Sequence, residues 1–212
     1  MTKALIFDLD GVIIDSEPVH FESDRMTMRE YGIDIADEIL NRYVGVTNPV
    51  MWAEIKEIYS LSCPVDELLH KQLKYKLELF GTEKLEAIDG IFDLIGLLKE
   101  KGIKVGLASS SPRGFIELIL KNLGIIGFFD GIVSGEDVLK SKPAPDIFLK
   151  AAALLEVEPG ACLVIEDSEH GVKAAKSAGM KCIGYANANS GNQDLSAADL
   201  CVASIRDIDM NL

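Results

Sequence analysis

Residues 3–18 read KALIFDLDGVIIDSEP. The apolar run 4–7 leads straight into Asp8 and Asp10, one residue apart, and Gly11 follows. A short apolar run without polar alternation is the pattern of a strand covered on both faces, as in a parallel sheet. On an extended chain, side chains two residues apart project to the same side. Asp8 and Asp10 are therefore expected to face one centre, with Gly11 freeing the backbone to turn away.

The same kind of segment recurs downstream, alternating with helical patterns. Ile91, Leu94, Ile95 and Leu98 have helical spacing and the pattern stops at Gly102, after which IKVGLAS (103–109) reads as a buried strand. Ser111 and Pro112 are the expected cap and first residue of a helix built on Ile116, Ile119, Leu120 and Leu123. GIVSG (131–135), CLVIED (162–167) and KCIGYA (181–186) read as strands, separated by helical PDIFLKAAALL (145–155) and EHGVKAAKSAGM (169–180). Between the first strand and about residue 85 the alternation fails. Helical patterns replace it, most clearly over 66–80 with Leu69, Leu73, Leu77 and Phe80. The expected fold is α/β: a doubly wound parallel sheet formed by residues 1–15 and 86–212, with a small all-helical cap domain, 16–85, inserted after the first strand.

In such a sheet, ligands bind beyond the carboxyl ends of the strands, near the topological switch point. The predicted strand ends carry Asp8 and Asp10, Ser109, and Glu166 with Asp167, while Lys142 lies in the loop after the third strand. Four converging carboxylates either take up protons or collect a cation. With no His or Cys nearby in the pattern, a hard ion held by oxygen, Mg²⁺, is the expected partner. One metal-held carboxylate can attack as a nucleophile and the other can carry a proton to and from the leaving group. Lys142 and Mg²⁺ would offset the charge of a transferring phosphoryl group.

Composition narrows the field. The 212 residues are 48% hydrophobic and carry a formal net charge of -13, with no basic run suited to nucleic acid or an anionic membrane. No segment approaches the ~20 apolar residues of a membrane helix, and no leader pattern is seen, so a cytoplasmic protein, expected as a monomer, is the reading. Cys63, Cys162, Cys182 and Cys201 show neither CxxC spacing nor pairing with His, which argues for reduced thiols.

Four stretches resemble, in order, the four motifs of the haloacid dehalogenase-like phosphohydrolase superfamily: DLDGVIIDSEP (8–18), LASSS (107–111), SKPAPDIF (141–148) and VIEDSEHGVKAAKSAG (164–179). The resemblance covers essentially the whole chain, and the insertion is similar to the C1 cap of the β-phosphoglucomutase and small-sugar phosphatase branch. It implies Asp8 as the nucleophile that forms an aspartyl-phosphate and Asp10 as general acid and base. Ser109 would hold a phosphoryl oxygen and Lys142 would bridge nucleophile and phosphoryl group. Mg²⁺ would be held by Asp8, the backbone carbonyl of Asp10 and Asp167, with Glu166 a further ligand or a partner behind them.

Substrate contacts are expected from His20, which matches a histidine of the mutase branch, and from Gly45 and Thr47 in a cap loop; an exposed helix histidine and a plain turn are the alternatives. Ser110, Ser111 and Arg113 follow the second motif, where a helix N-terminus suits an anion. The mutases carry a Lys just before the cap glycine and an Arg three residues after it; here Val44 and Asn48 stand there, and Pro112–Arg113 replaces an expected Lys–Asn pair. The expected activity is a Mg²⁺-dependent phosphatase acting on small sugar or polyol phosphates. A β-phosphoglucomutase is the first alternative. A phosphorylatable receiver is the second, opposed by its shorter domains and its lack of a cap.

Overall fold

The computed structural model describes residues 2–43, 46–82 and 85–209. The chain divides into two compact units, one formed by residues 1–15 and 85–212 and the other by Ser16–Lys84.

The first unit is built on a parallel sheet of six strands in the order β3-β2-β1-β4-β5-β6. These are β1 (Ala4–Phe7), β2 (Lys104–Ser109), β3 (Gly131–Ser134), β4 (Cys162–Glu166), β5 (Lys181–Tyr185) and β6 (Leu200–Val202). The two central strands are buried along their whole length, which is why ALIF and CLVIE carry no polar alternation. Connecting helices in this unit are α5 (Ile91–Glu100), α6 (Arg113–Asn122), α7 (Asp146–Leu154) and α8 (Glu169–Ser177). Ile6, Val164 and Cys182 on the strands pack with Ile147, Phe148 and Ala151 of α7 and Val172 and Ala175 of α8 in one apolar cluster. Five of the strands are those the sequence pattern predicts. The sixth, Leu200–Val202, escapes it because it is three residues long and two of them are exposed.

The second unit is all-helical: α1 (Glu17–Arg29), α2 (Asp37–Leu40), α3 (Asn48–Ile58) and α4 (Val65–Thr82). Its core joins Met28, Leu40, Met51, Trp52, Ile55 and Leu68. Trp52 is wholly buried there, so it packs the helices together. Gly45, expected in the cap loop, lies outside the described residues. No helix among the described residues is long and apolar enough to cross a membrane.

Candidate active site

Register brings the carboxylates together. Phe7 pairs with Ile165 across β1 and β4, and the Asp8 N–H donates to the Ile165 carbonyl at 3.0 Å, so Asp8 and Glu166 leave adjacent strands side by side. This is where the strand order reverses, the crevice in which doubly wound folds bind ligands. Gly11, with φ of 73°, turns the chain immediately afterwards, its N–H bonded to the Ile14 carbonyl at 2.8 Å. A Cβ at Gly11 would stand 1.9 Å from Asp167 Oδ2, so the glycine also makes room for that carboxylate.

Lys142 is the cation of the site. Its Nζ donates to Asp8 Oδ1 at 2.8 Å, to Glu166 Oε1 at 2.6 Å and to the Ala108 carbonyl at 3.2 Å. Burial by itself would lower its pKa, but the attraction of Asp8 and Glu166 outweighs this and holds the ammonium charged. Glu166 is fully buried, and its other oxygen accepts from the N–H groups of Asp167 and Ser168 and from the Ser168 hydroxyl, at 3.0, 3.1 and 2.9 Å. Four donors thus converge on one carboxylate. Ser168 in turn caps α8, accepting from the Gly171 N–H at 3.0 Å.

Glu166 lies so close to the first turn of α8 that a Cβ at Gly171 would meet its Oε1 at 1.8 Å and its carboxyl carbon at 1.9 Å. Gly171→Ala is therefore expected to push Glu166 off its donors and destabilise the fold by about 1–3 kcal/mol, the cost of overpacking a filled site. Denaturant midpoints measure this directly. A loss below about 0.5 kcal/mol, the scale of a surface substitution, would show that the site yields freely.

Asp8, Glu166 and Asp167 each offer an oxygen, and these atoms lie within 4.8 Å of one another. Burial first, and then repulsion from Glu166 and Asp10, pushes Asp8 up to about 7 despite the opposing pull of Lys142. Asp167 is driven well above the carboxylate range by burial, with Glu166 and Asp8 adding to it. One ammonium does not balance this cluster. An all-oxygen, buried set with excess negative charge fits a hard divalent cation.

The second strand brings its hydroxyls to the same edge. Ser109, at the end of β2, accepts from the Ser111 N–H at 3.0 Å, and the Ser111 hydroxyl donates to Asp10 Oδ2 at 2.8 Å. The expected capping by Ser111 is thus corrected: Pro112 occupies the N-cap position of α6, while the Ser111 side chain holds Asp10. Ser110 is exposed. The Arg113 guanidinium is engaged by Asp137 and, at 3.1 Å, by the Ile132 carbonyl, at the β3 flank. It is therefore an ion-paired group in this arrangement.

Within the helical unit, His20 shares a cavity of about 340 Å³, open mouth included, with Glu17, Asp24, Tyr43, Asn48 and Met51. Thr47 is exposed and stands at the N-cap position of α3 without a side-chain cap bond. Asp24 escaped the sequence reading. It is buried, accepts from Gln72 Nε2 at 2.5 Å, and is pushed up to about 6 by burial against the pull of Lys76. No local signal marks it, since its partner Gln72 lies 48 positions away on α4.

The fold and this edge define an α/β enzyme of the doubly wound class with a carboxylate–lysine centre at the switch point. The haloacid dehalogenase-like hydrolase profile matches residues 5–185, and the chain belongs to that family. It is similar to the β-phosphoglucomutase of Bacillus subtilis, with 36% identity over 216 residues, 99% of this chain and 93% of the relative. It is also similar to a phosphorylated carbohydrates phosphatase of Thermotoga maritima, with 33% identity over 181 residues, 85% of this chain and 83% of the relative. Among solved structures, a β-phosphoglucomutase of Clostridium difficile superposes with a TM-score of 0.84 at 31% identity, covering 100% of this chain and 95% of that one. The chain is an enzyme of the phosphatase type within this family.

Proposed function

We propose that the protein is a Mg²⁺-dependent phosphatase of small phosphorylated metabolites, sugar or polyol phosphates, working through an aspartyl-phosphate on Asp8. The observation that carries this is the geometry around Asp8: a buried carboxylate held by Lys142 at 2.8 Å, beside Asp167 and with Asp10 two residues on. Asp8 attacks phosphorus in line, and the bond from phosphorus to the ester oxygen breaks. Asp10, oriented by the Ser111 hydroxyl, delivers a proton to the departing alkoxide and takes one from the water that next attacks the phosphoaspartate. Ser109 receives a phosphoryl oxygen, and Lys142 neutralises charge between nucleophile and phosphoryl group.

Asp8, Asp167 and the Asp10 carbonyl would hold Mg²⁺. When bound, the ion supplies charge stabilisation to the phosphoryl oxygens. Glu166, whose oxygens are already occupied by Lys142 and three donors, anchors the lysine and adds negative charge behind the ion. The choice of leaving group is assigned to the helical unit, with His20, Gly45 and Thr47 as the candidate contacts. Ser110, Ser111 and Arg113 remain the candidate contacts of the α/β unit, Arg113 only on release from Asp137.

The mutase reading is favoured by the 36% identity to a β-phosphoglucomutase. Against it, Val44 and Asn48 flank Gly45 where a mutase places fixed cations for the second phosphate of a bisphosphate intermediate. A panel of sugar and polyol phosphates, assayed for inorganic phosphate with and without Mg²⁺, tests the proposal. Mg²⁺-dependent release is expected. Conversion of β-glucose 1-phosphate to glucose 6-phosphate faster than phosphate release would overturn it in favour of the mutase.

A further inference from the structure

The loop after β5, residues 186–193, is exposed at Ala188, Asn189, Gly191 and Asn192, yet Ser190 within it is buried. Its hydroxyl donates to Asp167 Oδ2. The loop is fastened on both sides of this contact. Asn187 Nδ2 donates to the Gly11 carbonyl at 2.9 Å, beside the acidic turn after β1. Gln193 Nε2 donates to the Ser190 carbonyl at 3.0 Å, while Gln193 Oε1 accepts from the Glu169 N–H at 3.1 Å, at the start of α8. A Cβ at Gly11 would stand 2.9 Å from Ser190 Oγ, so the glycine clears space for this hydroxyl as well as for Asp167.

We propose that Ser190 is a positioning residue that holds one oxygen of Asp167 and thereby leaves the other to face Asp8 and the cation the two would hold; this rests on the magnesium reading above. Lys142 serves Asp8 and Glu166, and Ser190 serves Asp167. The difference in donor matters. An ammonium on Asp167 would cancel the charge the cation needs, whereas a neutral hydroxyl orients the carboxylate and leaves its charge in place. Fixing the rotamer in advance removes the ordering cost that a mobile carboxylate would bear at each binding event. The loop fastenings explain why a surface segment can do this: Asn187 and Gln193 tie it to the two segments that carry Asp8 and Asp167.

Calorimetric titration of the metal-stripped full chain with Mg²⁺ alone tests the inference, using wild type, Ser190→Ala and Ser190→Cys. Cysteine keeps the volume of the side chain but donates weakly. The expected result is that both substitutions weaken Mg²⁺ binding by about 10-fold or more, the usual cost of losing a partner behind a metal ligand. Turnover at saturating Mg²⁺ should then return toward the wild-type value. If Ser190→Cys binds as wild type does, the residue only fills space and the inference is overturned, whether or not the alanine variant folds. Equal affinity in all three proteins overturns it too, and leaves the magnesium reading standing. Failure of the wild type itself to bind Mg²⁺ overturns both.

Discussion

Replacing Asp8 by asparagine is expected to lower phosphate release by at least about 10⁴-fold, because it removes the atom that bonds to phosphorus and no neighbour can replace it. Asp10 leaves the strand two residues later and is held by Ser111, and Glu166 is committed to four donors, so neither is free to attack in its place. The amide introduced by Asp8→Asn keeps an oxygen for Lys142, and the site keeps Glu166 and Asp167. Loss of activity would then report the missing nucleophile rather than a collapsed site. Two readouts check this: steady-state phosphate release on the best substrate of the panel, and acid-quenched labelling of the protein from a phosphorus-labelled substrate. Label retained by wild type and absent from the variant is the expected pair. An Asp8→Asn protein within about tenfold of wild type would mean that water attacks directly and that Asp8 does not form the intermediate.

The parts of this site that could be read from the chain are those carried by strand ends. An apolar run stopping at Asp8, another at Ser109 and a third at Glu166 announce both the strands and the edge on which their last side chains meet, because register in a parallel sheet aligns such ends. What could not be read depends on contacts between distant loops. Ser111 sits at a helix start and carries a cap signature, yet its hydroxyl finds Asp10, 101 positions earlier, a stronger acceptor than anything local. Ser190 belongs to a polar loop whose sequence, NANSGNQ, reads only as a turn. Its burial exists because Asn187 and Gln193 fasten that loop to Gly11 and Glu169. Asp24, Gln72 and Lys76 look like an ordinary solvated face on two separate helices, and become a buried polar group only when α1 and α4 pack. Local propensity carries no information about such pairings.

The substitution that removes activity is also expected to stabilise the metal-free fold. In the folded, metal-free protein Asp8 keeps its proton up to about pH 7, burial being the main cause, whereas in the unfolded chain a carboxyl of this type ionises near 4. Between those values the folded state binds more protons than the unfolded one. The contribution of this group to stability is therefore fully present below about pH 4 and is lost as pH rises through about 7, and Asp167 shifts in the same direction. Carboxylates held low, Asp89 by the Arg206 guanidinium and Asp137 first by the Ser134 N–H and then by Arg113, act at lower pH. Asp24, pushed up to about 6 in the helical unit, shares this window in both proteins, so the comparison with Asp8→Asn is what isolates the acidic site. In chelator, wild type should lose stability from about pH 5 to about pH 8. Asp8→Asn, which cannot ionise, should then exceed it by up to about 4 kcal/mol at about pH 8 and by much less at about pH 5. Added Mg²⁺ replaces the missing protons, so its stabilising effect on wild type should grow across the same interval and shrink in the variant. Urea midpoints at several pH values across this interval, with chelator and with Mg²⁺, give all three comparisons. A wild-type curve that is flat or rising over this range in chelator, with no advantage for Asp8→Asn at its alkaline end, would mean that the carboxylates are already balanced without a cation, and the case for a metal drawn from charge would fall.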